Sequence, residues 1–130
     1  MIHVLDASAV IAYFREESGC EAVKAVLRSG GSCFLHSVNW VEIFYKMRQK
    51  IGEAAAEAAI TALRFMKVAV IDIQGEEFLR RVADIKNAHS FLSLGDCYAI
   101  GLAGWLNGEV VTADRIFEKA KAFARIKRIR

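Results

Sequence analysis

Short apolar runs alternate along this chain with longer segments in which apolar side chains recur at a helical spacing. The apolar runs predict five β-strands, at residues 2–5, 32–36, 68–73, 109–112 and 125–129. The helical spacing predicts helices at residues 8–14, 21–28, 38–50, 53–66, 76–88, 95–106 and 115–123. Strands separated by helices indicate an α/β fold with a mainly parallel five-stranded sheet flanked by helices.

Glycine-containing turns separate these segments, and none of them has the composition of a domain linker. Gly30-Gly31 follows the second helix, Gly52 separates two helices expected to form an antiparallel hairpin, and Asn107-Gly108 precedes the fourth strand. The chain has 130 residues, 55% of them apolar, which suffices for one core. We therefore predict one domain spanning residues 1–130.

Composition favours an ordinary folded protein without a membrane partner. Charged residues make up 25% of the chain, and both signs are interspersed. The apolar runs are shorter than the roughly 18 residues that a membrane span needs, and the N-terminal residues lack the basic-then-apolar pattern of a secretory leader. We expect a cytoplasmic protein. Cys20, Cys33 and Cys97 have no C-x-x-C spacing and are predicted to be free, buried thiols.

Basic residues crowd the last part of the sequence, although the net charge is only +3. They are Lys119, Lys121, Arg125, Lys127, Arg128 and Arg130. Such a cluster can bind phosphate groups, or it can form a solvated strand or tail. The sequence leaves both interpretations open.

Three acidic residues stand where a parallel sheet presents side chains to a ligand. Asp6 and Asp114 each follow a predicted strand, and Asp96 lies in the first turn of a predicted helix. The carboxyl ends of parallel strands share one edge of the sheet, so Asp6 and Asp114 are expected to be neighbours. Helix capping and the helix dipole also favour acids at such positions without any ligand.

Glu42 is the fourth candidate, because its helix places it beside apolar side chains. Val38, Val41 and Tyr45 lie next to it at helical spacing, and the burial of an unpaired carboxylate is costly. The alternative is a surface ion pair with Lys46, one turn further along the helix.

Four carboxylates that converge repel one another, and a divalent cation relieves that repulsion. Oxygen ligands select hard cations such as Mg²⁺ or Mn²⁺, whose retained waters can supply a nucleophile. Two such ions can stabilise both the attacking and the leaving oxygen of a phosphodiester. Ser8 and Thr112, each two residues from an acid, either support such a site or serve in helix capping and strand packing.

Other catalytic arrangements find no support in the sequence. His3, His36 and His89 have no Ser, Cys or Asp arrangement typical of nucleophilic catalysis. Glycine-rich nucleotide-binding motifs are absent. Trp40 and Trp105 lie at core spacing on helices, so we expect them to pack rather than to stack on bases.

The four segments that carry the acids resemble, in order and spacing, the motifs of the PIN-domain ribonucleases, most closely the VapC-type toxins of toxin-antitoxin pairs. They are Leu5-Asp6-Ala7-Ser8-Ala9, Ser37-Val38-Asn39-Trp40-Val41-Glu42, Gly95-Asp96-Cys97-Tyr98-Ala99-Ile100 and Val111-Thr112-Ala113-Asp114-Arg115-Ile116-Phe117. The resemblance covers nearly the whole chain. Cys97 stands where the family more often has alanine, and Phe117 and Glu118 stand where a further acid sometimes occurs.

The resemblance implies a PIN-like three-layer fold and an endoribonuclease that hydrolyses RNA phosphodiester bonds. It implies that Asp6, Glu42, Asp96 and Asp114 are catalytic and bind Mg²⁺ or Mn²⁺. The missing further acid leaves open whether one ion or two are held. The resemblance also implies a homodimer and a cognate antitoxin whose segment lies across the active-site groove.

Two alternatives to this function remain open at the level of sequence. A non-catalytic PIN-like module would bind RNA or a partner protein without cleavage, although the complete set of acids argues against it. An Asp-based phosphotransfer domain would use Asp6 as its phosphoacceptor, but Ser8 stands where the phosphatase version has a second Asp.

Overall fold

The structure is a computed structural model that describes all 130 residues. The strands are β1 (Ile2–Leu5), β2 (Ser32–His36), β3 (Ala69–Ile71), β4 (Glu109–Thr112) and β5 (Arg125–Arg128). The helices are α1 (Ala7–Phe14), α2 (Cys20–Arg28), α3 (Ser37–Ile51), α4 (Glu53–Phe65), α5 (Glu76–Ala88), α6 (Leu94–Trp105) and a 3₁₀ helix (Arg115–Ala120).

All five strands are parallel and stand in the order β3-β2-β1-β4-β5. The chain builds outward from β1 through β2 to β3, and then returns to the other side of β1 to add β4 and β5. The winding direction therefore reverses at β1. In such sheets, ligands bind beyond the carboxyl ends of the strands next to the reversal, which here is the edge that carries Asp6 and Asp114.

The sheet separates two apolar cores, which gives the molecule three layers. Leu5 and Val111 face a core formed with α1 to α4, while Val4 and Val110 face a core formed with α5, α6 and the 3₁₀ helix. All four side chains are buried, as expected for the central strands of a parallel sheet covered on both faces. The predicted α/β architecture, a five-stranded parallel sheet flanked by helices, is confirmed.

Two elements differ from their predicted extents by more than one residue at an end. β3 has three residues rather than six, because it is an edge strand that pairs only with β2, and its Val70 is 49% exposed. The helix predicted at residues 115–123 is a 3₁₀ helix that ends at Ala120. The Phe117 N–H donates to the Asp114 carbonyl three residues earlier, the hydrogen-bond pattern of a 3₁₀ turn.

The predictions for the cysteines and tryptophans are confirmed in part. The three cysteines are free, and Cys33 and Cys97 are buried while Cys20 is partly exposed. Trp40 stacks on Phe44, but Trp105, which packs edge-on against Phe78, remains 41% exposed. No helix combines the length and apolarity that a membrane crossing requires.

Candidate functional site

Asp6 follows β1 directly and is the most deeply buried of the four acids, with 2% of its surface exposed. It occupies the N-cap position of α1, but its side chain makes no capping hydrogen bond. Instead its Oδ2 accepts hydrogen bonds from the Ser8 hydroxyl at 2.6 Å and the Thr112 hydroxyl at 3.0 Å. Both hydroxyls, whose role the sequence left open, therefore hold this carboxylate.

Asp114 stands at the same sheet edge as Asp6, because it follows β4 and Asp6 follows the neighbouring strand β1. The Asp6 N–H donates to the Val111 carbonyl at 2.9 Å, which fixes the ends of the two strands side by side. Asp114 follows two residues after Thr112, and its N–H donates to the Thr112 hydroxyl at 3.0 Å. Its Oδ1 accepts the Ile116 N–H at 3.1 Å and so caps the 3₁₀ helix.

Asp96 is held at the start of α6 by a capping box. Its Oδ2 accepts the Ser93 N–H at 3.0 Å, and its own N–H donates to the Ser93 hydroxyl at 3.1 Å. The capping role that the sequence offered as an alternative is therefore present. The capping hydrogen bond uses only Oδ2 of Asp96, so Oδ1 accepts no hydrogen bond from the protein.

Glu42 lies against the start of α6, not within an apolar patch of α3. Val41 and Tyr45, beside which the sequence placed it, are 56% and 40% exposed, so that part of the prediction was wrong. A Cβ added to Gly95 would lie 2.8 Å from Glu42 Oε1, which shows how closely α6 approaches the carboxylate. Lys46 donates to Oε2 at 2.8 Å, while Oε1 is buried without a hydrogen-bond partner.

Asn39 is a buried site residue that the sequence analysis missed. Its Nδ2 donates to the Gly95 carbonyl at 3.0 Å and ties α3 to α6, and its Oδ1 is buried without a partner. It shares one helical stripe with the core residues Ile43 and Met47. A polar residue in that apolar stripe is the signal that identifies it.

The acids from separate segments influence one another electrostatically. The pKa of Asp6 is raised from 3.8 to about 7, mainly by burial and also by the charges of Asp96 and Glu42, against the lowering effect of its two hydroxyl partners. Burial also raises the pKa of Asp96, with contributions from the charges of Glu42 and Asp114. Asp96 is therefore electrostatically coupled to each of the other three acids.

The oxygen atoms of the four carboxylates are chemically suited to bind a hard cation. Each of the four carboxylates has one oxygen hydrogen-bonded by the protein, and its other oxygen accepts no hydrogen bond. Carboxylate oxygens are the ligands that Mg²⁺ and Mn²⁺ prefer. No three His, Cys, Asp or Glu side chains, however, stand close enough together to form a ready-made metal site.

Solved structures with the same fold include chains of bacterial toxin-antitoxin complexes. VapBC2 from Rickettsia felis, bound to a promoter DNA fragment, matches with a TM-score of 0.77 over 98% of both chains at 11% identity. DNA-bound VapBC from Salmonella typhimurium gives 0.76 over 100% of this chain and 99% of its own, at 16% identity. VapC20 from Mycobacterium tuberculosis, described as a sarcin-ricin loop cleaving toxin, gives 0.74 over 91% and 94%, at 15% identity. Such low identities show the fold alone.

No curated protein sequence matches this chain. The model of the PIN domain family, in contrast, matches residues 3–122. That range includes all four acids and the two hydroxyls that hold Asp6. The chain therefore belongs to the PIN-domain family.

Proposed function

We propose that this chain is a metal-dependent endoribonuclease and the toxin of a VapBC-type toxin-antitoxin pair. The observation that carries the proposal is the electrostatic coupling of Asp96 to acids from three other segments at one sheet edge. Burial and neighbouring acids raise the pKa of both Asp6 and Asp96. Carboxylates arranged in this way reduce the stability of the fold, so a function that requires them is the natural explanation.

Asp6, Glu42, Asp96 and Asp114 would hold Mg²⁺ or Mn²⁺ through the oxygens that the protein leaves without hydrogen bonds. A bound ion of this type supplies positive charge at the scissile phosphate and activates a water for attack on it. The chain's own contribution is orientation. Ser8 and Thr112 hold Oδ2 of Asp6, while Lys46 holds Oε2 of Glu42.

The proposed partners follow from the family and the fold relatives. PIN-family membership and the fold shared with VapC20, described as a sarcin-ricin loop cleaving toxin, support RNA as the substrate. The relatives crystallised as VapBC complexes support a cognate antitoxin protein. We further propose a homodimer that acts on RNA in the cytoplasm.

The direct test is RNA cleavage by the purified protein. Incubation with bacterial RNA and Mg²⁺ or Mn²⁺, followed by sequencing of the new ends, should reveal defined cleavage sites. Asp6→Asn and Asp96→Asn should each reduce the rate at least about 100-fold without unfolding the protein. Asp72→Asn is the matched control, because Asp72 is an exposed carboxylate just beyond β3 at the same sheet edge. Cleavage that persists in excess chelator would overturn the proposal.

The Lys46 ion pair favours one other candidate, a binding module without catalysis. Lys46 already neutralises the charge of Glu42 by an ion pair within the chain. A site that only binds a partner, and holds no metal ion, can keep such an ion pair. Such a module would bind RNA or protein without metal, would be insensitive to Asp6→Asn, and would not cleave. The same preparations therefore separate the two functions.

A further inference from the structure

A basic hollow of about 780 Å³ adjoins the acidic edge on its Asp114 side. Its polar lining consists of Ser8, Ser18, Asp114, Arg115, Arg128 and Arg130. Ser8 and Asp114 belong to the acidic site as well. The hollow and the acids are therefore parts of one continuous surface.

Strand register explains how an arginine of β5 reaches this surface. Arg128 pairs with Thr112 of β4, and the Thr112 hydroxyl donates to Asp6. Arg125 lies at the opposite end of β5, where it donates to the Asn107 carbonyl at 2.8 Å. The fold thus divides the basic cluster of the sequence and brings only part of it to the acids.

The arginines of the hollow keep most of their hydrogen-bonding capacity. Arg115 is exposed and makes no hydrogen bond or ion pair with the protein, and Arg128 donates only to the Arg130 carbonyl at 3.1 Å. Arg130, in contrast, is held by Glu17 at 3.4 Å and by the Ser18 carbonyl at 3.0 Å. Arg115 and Arg128 are therefore the two guanidinium groups available to a ligand.

We propose that Arg115 and Arg128 bind backbone phosphates of the RNA strand on the Asp114 side of the acidic site. This inference rests on the proposed function, because it assigns part of the path of that substrate. The four acids by themselves repel a polyanion, and adjacent cations offset the repulsion. Guanidinium groups match phosphate geometry, and the hydroxyls of Ser8 and Ser18 add donors to the lining. An acidic peptide carries a similar charge. RNA is favoured because the hollow is continuous with the proposed site of phosphodiester cleavage, so a strand bound there would extend into that site.

The test is the binding of a fluorescein-labelled, mixed-sequence 12-nucleotide single-stranded RNA, measured by anisotropy in excess EDTA over a range of salt concentrations. Arg115→Gln/Arg128→Gln should weaken binding about tenfold and reduce the salt slope by about 1.4, since each lost phosphate contact contributes about 0.7. Arg80→Gln/Arg125→Gln removes the same charge at positions away from the hollow and should change neither. Thermal unfolding of both double variants verifies that they are folded.

In the binding assay, the proposal would be overturned by no RNA binding of the wild-type protein or by an equal loss of affinity in both double variants. It would also be overturned by a Glu-Ser repeat peptide that binds with the same dependence on Arg115 and Arg128. A parallel cleavage assay in Mg²⁺ separates this inference from the proposed function. Binding that depends on the hollow without cleavage refutes the nuclease alone. Cleavage with an unchanged KM in Arg115→Gln/Arg128→Gln refutes the hollow alone.

Discussion

At the scale of single residues, the site consists of carboxylates that the protein holds by one oxygen each. Asp6 shows the consequence most clearly, because it is almost completely buried and has only two hydroxyls as partners. Burial of a charge with so little compensation favours the neutral form, and its pKa rises to about 7. In the absence of a cation, the charged form of Asp6 is therefore unfavourable for folding.

This imbalance predicts how the stability of the metal-free protein depends on pH. The pKa of Asp6 is 3.8 when unfolded and about 7 when folded, so the folded state retains a proton that the unfolded state releases. The free energy of unfolding should fall as pH rises between these values, by up to about 4 kcal/mol from this group. Urea titrations in EDTA at pH 5 and pH 8 measure the effect.

Asp6→Asn isolates the contribution of this residue, because the substitution removes the titrating group. The variant should be more stable than the wild type at pH 8, and the difference should shrink at pH 5. Asp84→Asn, at an exposed position on α5, controls for the loss of a surface charge. Wild-type and Asp6→Asn profiles that run parallel from pH 5 to pH 8 would contradict the assignment.

Gly95 limits the position of Glu42 by its lack of a side chain. In Gly95→Ala the new Cβ would meet Glu42 Oε1 at 2.8 Å, so the carboxylate has to move. Because the displaced atom is the end of a flexible side chain, the free energy of unfolding should change by less than about 1 kcal/mol, while the RNA cleavage rate falls at least about tenfold. Gly75→Ala, where the added Cβ meets nothing within 4 Å, should leave the cleavage rate unchanged. Full activity of Gly95→Ala would show that the position of Glu42 does not matter.

At the scale of elements, the sequence predicts what depends on local patterns and misses what depends on contacts between elements. The strand-to-acid transitions at Asp6 and Asp114 were readable because parallel strands always share an edge. The packing of Glu42 against α6 could not be predicted, because it depends on the close approach of Gly95, which is distant in sequence. Arg115 was likewise overlooked, since its place in the basic hollow depends on the position of β5 beside β4.

The contact between α3 and α6 depends on Asn39. Asn39→Ala would remove the hydrogen bond to the Gly95 carbonyl, and we expect the free energy of unfolding to drop by about 1–3 kcal/mol. Chemical denaturation measures the change. Asn87→Ala, at an exposed position on α5, is the matched control and should have little effect. An Asn39→Ala variant as stable as the control would mean that this hydrogen bond does not hold the two helices together.

At the scale of the whole molecule, the order of the strands gathers acids that lie far apart in sequence. β1 and β4 present Asp6 and Asp114 at the centre of the sheet, and the starts of α3 and α6 bring Glu42 and Asp96 to the same edge. The basic hollow adjoins this edge at Ser8 and Asp114. One edge of the molecule thus combines an acidic centre with a basic flank, the charge pattern expected of an enzyme that brings a cation to a polyanion.

The central claim is that the four carboxylates bind one shared cation site, and calorimetric titration of the protein with Mn²⁺ tests it most directly. The account predicts measurable binding by the wild type and by Asp72→Asn. It also predicts a loss of at least about tenfold in affinity for each of Asp6→Asn, Glu42→Gln, Asp96→Asn and Asp114→Asn, because each removes an oxygen ligand and a negative charge. Wild-type affinity in any of these four variants, or no Mn²⁺ binding by the wild type, would contradict it.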